Sequence, residues 1–219
     1  MHRLVVTVAL LVSTAPVRAD GPNANAHLLA GVRAFRAQSY ELALAEFHQV
    51  EQAGGTPDLA LYLGPTLYKL GRFDDARLVL ARAHRAGSID SVAEYYLGLT
   101  YYRLGLWRLA RVVFATLDRN QAGPKLAEGA ARFVAEIDRR ASATADVATL
   151  LTAAETLEHS QPIAALDTAE EAFLRTTPAT PERDRSATLL ARLAASVGQV
   201  APDPTIRQAA EEAARRPQP

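Results

Sequence analysis

One stretch of this chain is written twice. Leu63-Gly64, Tyr68-Lys69-Leu70-Gly71-Arg72-Phe73 and Ala76 return as Leu97-Gly98, Tyr102-Arg103-Leu104-Gly105-Leu106-Trp107 and Ala110, each 34 residues further on. A weaker copy lies 33 residues upstream, in Gly31, Phe35-Arg36, Tyr40, Ala43 and Phe47. A fixed period of this size restricts the fold to an array of helical hairpins, each of which hides its apolar face only by stacking on its neighbour.

The spacing inside each copy is helical. Leu63, Leu67 and Leu70 form one apolar stripe on a first helix. Gly71 closes that helix, because glycine enters the left-handed backbone of a helix stop without steric cost. Phe73, Ala76, Leu80 and Ala83 mark the buried stripe of an antiparallel second helix. Gly64 and Ala76 are expected where the two backbones cross; a large side chain there would overpack the contact by about 1–3 kcal/mol. Gly98, Ala110, Phe114 and Leu117 repeat the scheme, as do Gly31, Ala43, Phe47 and Val50. Thr56-Pro57, Gly123-Pro124, Thr180-Pro181 and Asp203-Pro204 each set an N-cap before a proline at the first helical position. Ser91 with Glu94 reads as a capping box. No stretch alternates with period two, so the expected fold class is all-α.

On these residues the chain resembles the tetratricopeptide repeat (TPR) family, whose pattern runs Leu-Gly, an aromatic, Ala, a second aromatic and a closing Pro. Leu63-Gly64, Leu97-Gly98, Phe73, Ala76, Tyr101, Trp107, Ala110 and Phe114 stand at matching places, with Pro57 and Pro124 at repeat boundaries. The resemblance covers three repeats over residues 24–123 and implies a TPR-type helix-hairpin solenoid with packing roles for Tyr101 and Trp107. There are departures. The first repeat has Ala30-Gly31 for Leu-Gly and Gln38 where the turn glycine belongs. Pro65 falls inside a first helix, where it should delete a backbone hydrogen bond and kink the axis.

The two ends read differently. Residues 1–19 combine a basic start (His2-Arg3), an apolar run from Leu4 to Val12, and small residues at Val17 and Ala19, the signature of a signal peptide cleaved before Asp20. The alternatives are an uncleaved anchor or a buried first helix. The chain has no cysteine to acylate, so it is not expected to be a lipoprotein. Residues 20–140 are expected to hold the solenoid, with 124–140 a following helix whose apolar side carries Leu126, Ala130, Phe133 and Ile137. A short linker, Ala141-Ser142-Ala143-Thr144, leads into C-terminal helical hairpins over 141–219. One spans 145–176, turning at His159-Ser160-Gln161-Pro162, with Ala153, Ala165, Ala169 and Ala172 resembling the small sites of a degenerate repeat. A second spans 182–198 and 203–216, before a tail expected to be disordered. Continuation of the stack and a separate bundle are both open.

Function classes narrow by chemistry. Basic and acidic residues balance at 24 each, and without Arg3 and Arg18 a slight acidic excess remains, so nucleic acid is not an expected partner. There is no cysteine nucleophile, no Gly-x-Ser-x-Gly elbow and no phosphate loop. Gly54-Gly55-Thr56 reads as an inter-repeat loop. His2, His27, His48, His84 and His159 lack metal-site spacing. Asp74-Asp75, Glu170-Glu171 and Glu211-Glu212 read as solvated helix faces, since neighbours on a helix diverge by about 100°. Neither an enzyme nor a cofactor or metal protein is expected.

In the family that the chain resembles, first helices line a concave face. The resemblance therefore implies a peptide-binding groove formed by Leu28, Phe35, Arg36, Leu61, Tyr68, Lys69, Tyr95, Leu99, Tyr102 and Arg103, with Val32 and Pro65 beside them. Phe35, Tyr68 and Tyr102 make an aromatic row, and Arg36, Lys69 and Arg103 a cationic one. Such a groove would hold an extended peptide or a helix of another protein, its cations taking an acidic residue or a terminal carboxylate. In the competing reading the rings pack against the next repeat. The asparagines of the chaperone-tail clamp are replaced by Val32, Pro65 and Leu99. The expected function is a non-enzymatic protein–protein interaction scaffold or adaptor in the bacterial envelope, exported to the periplasm or outside. The alternative is an accessory subunit of a membrane-associated assembly or secretion complex, anchored by an uncleaved N-terminal segment and self-associating through the C-terminal hairpins.

Overall fold

The computed structural model describes residues 22–117, 119–143, 146–201 and 204–215. The segment read as an export signal, Asp203 and the last four residues lie outside these. The described residues form helices and no strand, as an all-α chain should. In chain order they are α1 (Pro22–Arg36), α2 (Tyr40–Gln52), α3 (Leu59–Lys69), α4 (Phe73–Arg85), α5 (Ser91–Arg103) and α6 (Trp107–Thr116). There follow α7 (Arg119–Ala143), α8 (Val147–Leu157), α9 (Pro162–Arg175), α10 (Pro181–Val200) and α11 (Pro204–Ala214).

The written repeat becomes a repeated hairpin: α1–α2, α3–α4 and α5–α6. Each turns through one left-handed residue, Gly71 (φ 74°), Gly105 (φ 74°) or Gln38 (φ 60°). One amide past that residue, Ser39, Arg72 and Leu106 donate back to the carbonyls of Ala34, Leu67 and Tyr101, each at 2.9 Å. These bonds satisfy carbonyls that a helix end leaves open. Gln38 thus accepts a conformation that glycine enters more easily. The helix crossings are equally regular. Gly31, Gly64 and Gly98 lie beneath Phe47, Leu80 and Phe114, and a Cβ on any of the three would overlap that side chain. Ala43, Ala76 and Ala110 are fully buried at the same contacts.

Several local expectations change. Asp90, not Ser91, caps α5: its carboxylate accepts from the Ala93 amide at 2.7 Å, and Ser91 is already the first residue of the helix. Asp58 rather than Thr56 stands at the start of α3, because Pro57 and Asp58 form a preliminary turn. The helix runs on through buried Pro65 to Lys69. Trp107 is 37% exposed instead of belonging to the core. Ala141 to Ala143 extend α7 in place of a linker, in keeping with alanine's helix preference, while the break at Gly123 (φ 72°, ψ 164°) falls where the Gly123-Pro124 pair marks a helix start. In the degenerate hairpin, Ala165, Ala169 and Ala172 are fully buried, but Ala154 takes the place expected of half-buried Ala153. Thr180 caps α10 as its Thr-Pro pair suggests, accepting from Arg183 at 3.3 Å.

The helices form two layers. First helices α1, α3, α5 and α7 touch in succession, whereas second helices α2, α4 and α6 touch the next first helix and not one another. Helices α8 to α11 stack in a similar order, α8 on α9 and α10 and α10 on α9 and α11, but here the second helices α9 and α11 also touch. The two stacks meet through their second helices, α9 against α6 and α11 against α4. The C-terminal hairpins therefore fold back over the splayed second helices and leave the first-helix layer uncovered by them.

Candidate protein-binding face

The residues singled out for a groove all stand on first helices α1, α3 and α5. Leu28, Leu61, Tyr95 and Leu99 are half-buried, as are Phe35, Tyr68 and Tyr102; Arg36, Lys69 and Arg103 are exposed. Leu29 and Val92 add exposed apolar surface on α1 and α5.

The aromatic row does structural work at every step. Phe35 meets Tyr40 at 5.6 Å between centroids, Tyr68 meets Phe73 at 5.4 Å and Tyr102 meets Trp107 at 4.9 Å, each ring held by the start of its own second helix. Tyr68 also packs edge-on against Tyr96 at 5.4 Å, and Tyr102 against Phe133 at 4.8 Å, both on the next first helix. Such pairs contribute about 0.5–1.5 kcal/mol each beyond the area they bury. Burial pushes the Tyr68 and Tyr95 phenols above their ordinary range, so both stay neutral hydrogen-bonding groups.

The cationic row interleaves with these rings. Lys69 Nζ lies 5.8 Å from the Tyr96 centroid, and the Arg103 guanidinium 5.1 Å from that of Phe73. These contacts leave charge facing water, and none of Arg36, Lys69 and Arg103 has a carboxylate partner among the described residues. The rings thus belong first to packing, while the three cations are available to a ligand.

A second charged constellation, invisible in the motif reading, sits at the seam between the stacks. Glu170, expected on a solvated face, is only 2% exposed and pairs with Arg108. Asp167, one turn earlier on α9, accepts the backbone N–H of Arg108 at 3.1 Å and that of Leu109. Those are first-turn amides of α6, whose own N-cap residue, Leu106, offers no side-chain bond. A carboxylate from a distant helix therefore caps α6 and complements its dipole. Arg108 Nε faces Asp167 Oδ1 at 3.8 Å. The available signal was two acids at i and i+3 within an otherwise apolar stripe of alanine and leucine.

Burial dominates the titration of Asp167, raising it to about 6 despite the lowering effects of Arg108 and the two amides. The native state then holds this proton up to about pH 6, whereas the unfolded chain releases it near 3.8. Its contribution to stability is fully present below the unfolded value and is lost as pH rises through about 6. Asp167→Asn keeps an accepting oxygen and removes the proton. Melting temperatures across this range should show the wild type losing ground to the variant between pH 4 and pH 7; parallel curves would mean an ordinary, solvated Asp167.

Two of the histidines are tied to carboxylates: His27 Nδ1 lies 2.7 Å from Glu46 inside the first hairpin, and His48 Nδ1 2.8 Å from Glu51. No helix among the described residues is long and apolar enough to cross a membrane. No family model matches the chain, and no curated protein does.

Proposed function

We propose that this chain is a non-enzymatic scaffold of the TPR type, exported to the periplasm or beyond, which holds an acidic segment of another protein along its first-helix layer. The observation that carries the reading is the cationic row: Arg36, Lys69 and Arg103, at one place on successive hairpins, exposed and without carboxylate partners among the described residues. The first helices touch in succession, so a single ligand can span α1, α3 and α5. A ligand lying across α1, α3 and α5 meets Leu29 and Val92 as apolar surface and the three cations as charge. Export rests on the leader-like residues 1–19.

The test is affinity capture from the native envelope fraction, comparing wild type with Arg36→Glu/Lys69→Glu/Arg103→Glu. Surface reversals of this kind should leave the melting temperature nearly unchanged. Proteins captured by the wild type and lost from the variant should share an acidic segment, and raised salt should release them. Identical capture by both chains removes the cationic row from the function. N-terminal sequencing of the native protein should begin at Asp20; an intact Met1 would favour a retained anchor.

A further inference from the structure

Helix α7 is a fourth first helix, displaced in register. Phe133 packs on Tyr102 at 4.8 Å as Tyr96 packs on Tyr68 at 5.4 Å. Arg140 lies 5.1 Å from the Trp107 ring, as Arg103 lies 5.1 Å from that of Phe73. Phe133 and Arg140 each stand 37 residues beyond their counterparts instead of 34. The same displacement sets Ala135 at the place of Gly31, Gly64 and Gly98.

In the three earlier hairpins that place is covered by Phe47, Leu80 or Phe114 from the hairpin's own second helix. Ala135 is exposed. Beside it runs a groove of about 340 Å³ between α6 and α7, lined by Phe114, Leu117, Ala130, Ala131, Val134 and Ala135. The next helix in the chain, α8, packs on α9 and α10 and makes no contact with α7 among the described residues. At the groove's charged margin, Asp138 is held by both Nε and an Nη of Arg111, at 2.6 and 3.3 Å.

We propose that the α6–α7 groove docks an amphipathic helix of another protein, which completes the fourth hairpin from outside. The three filled examples specify its apolar face. Each presents a small residue and, four positions on, a bulky one: Ala43 and Phe47, Ala76 and Leu80, Ala110 and Phe114. Three residues further comes a third apolar contact, Val50, Ala83 or Leu117. The occupant continues an interface that the stack already makes three times, and its inserted face carries no charge, since Asp138 already holds Arg111. This site is separate from the cationic row of the first-helix layer and does not depend on it.

The probe is a fluorescent synthetic peptide with the sequence Tyr40–Gln52, titrated into the full chain and read by anisotropy. Saturable binding is expected, weakened at least tenfold by Ala135→Arg and by replacing the peptide's phenylalanine with serine. Ala195→Arg, on the exposed side of α10, is the matched control and should bind as wild type. Because the chain has no cysteine, Ala135→Cys gives a second readout. A peptide with cysteine in place of that phenylalanine should form a disulfide with it many-fold faster than with Ala195→Cys. Absence of saturable binding, or binding and trapping indifferent to position 135, overturns the proposal. So does a wild-type dimer in sedimentation that Ala135→Arg converts to monomer, which would make the occupant a second copy.

Discussion

Arg108→Leu should destabilise the protein by about 3–5 kcal/mol at neutral pH, the largest effect expected of any single charge on this chain. Most of that cost does not come from losing an attraction. It comes from leaving Asp167 and Glu170, 6% and 2% exposed, without the guanidinium that compensates their burial. Leucine retains much of the apolar contact of the arginine stem, so lost packing is a minor part. Combining it with Asp167→Asn and Glu170→Gln should recover most of the loss, because the uncompensated charges are then gone. Urea unfolding of wild type, the single variant and the triple variant measures both steps. A cost within about 1 kcal/mol, typical of surface pairs, would mean that water reaches the cluster. The seam is where α9 holds α6, so the variant should also loosen the C-terminal helices first, seen as faster amide exchange in α9 and α11 than in α3.

Gly98→Val should cost about 3 kcal/mol, the upper end of overpacking. The new Cβ would overlap the Phe114 ring, and moving that ring would disturb two aromatic contacts. It is stacked on Phe133 at 5.1 Å and tilted against Tyr95 at 5.5 Å. Gly64→Val meets Leu80, an aliphatic side chain with rotamers in reserve, and should cost nearer to about 1–2 kcal/mol. Chemical denaturation orders the two; equal costs would mean that backbone movement, not the side chain above, sets the penalty.

What could be read from the residues follows from where the contacts lie. Within a hairpin they are local, so Gly64 and Leu80, or Gly71 and its reversal of the chain, are legible from spacing alone. The all-α class and the hairpin boundaries near 159–162 came out of the same periodicity. The aromatic row was legible as a row, but its use was not: whether Tyr102 faces a ligand or Phe133 depends on the register of α7. That register shifts by three residues at the Gly123 break, which no 34-residue count anticipates. The seam was hidden for a stronger reason. Arg108 and Asp167 are 59 residues apart, and Glu170 looks like half of an exposed acidic pair until α9 is laid against α6. Trp107 illustrates the converse: its place in the repeat suggests core, yet Arg140 and Tyr102 cover only part of it.

The stacked-hairpin account is tested most directly by one set of urea midpoints, for Gly31→Val, Gly64→Val, Gly98→Val and Ala135→Val. The first three should unfold at clearly lower urea than wild type, because each glycine lies under a side chain of its own second helix. Ala135→Val should stay within about 0.5 kcal/mol of wild type, because that place is open on α7. A neutral Gly98→Val, or an Ala135→Val as damaging as the glycine variants, would contradict the account.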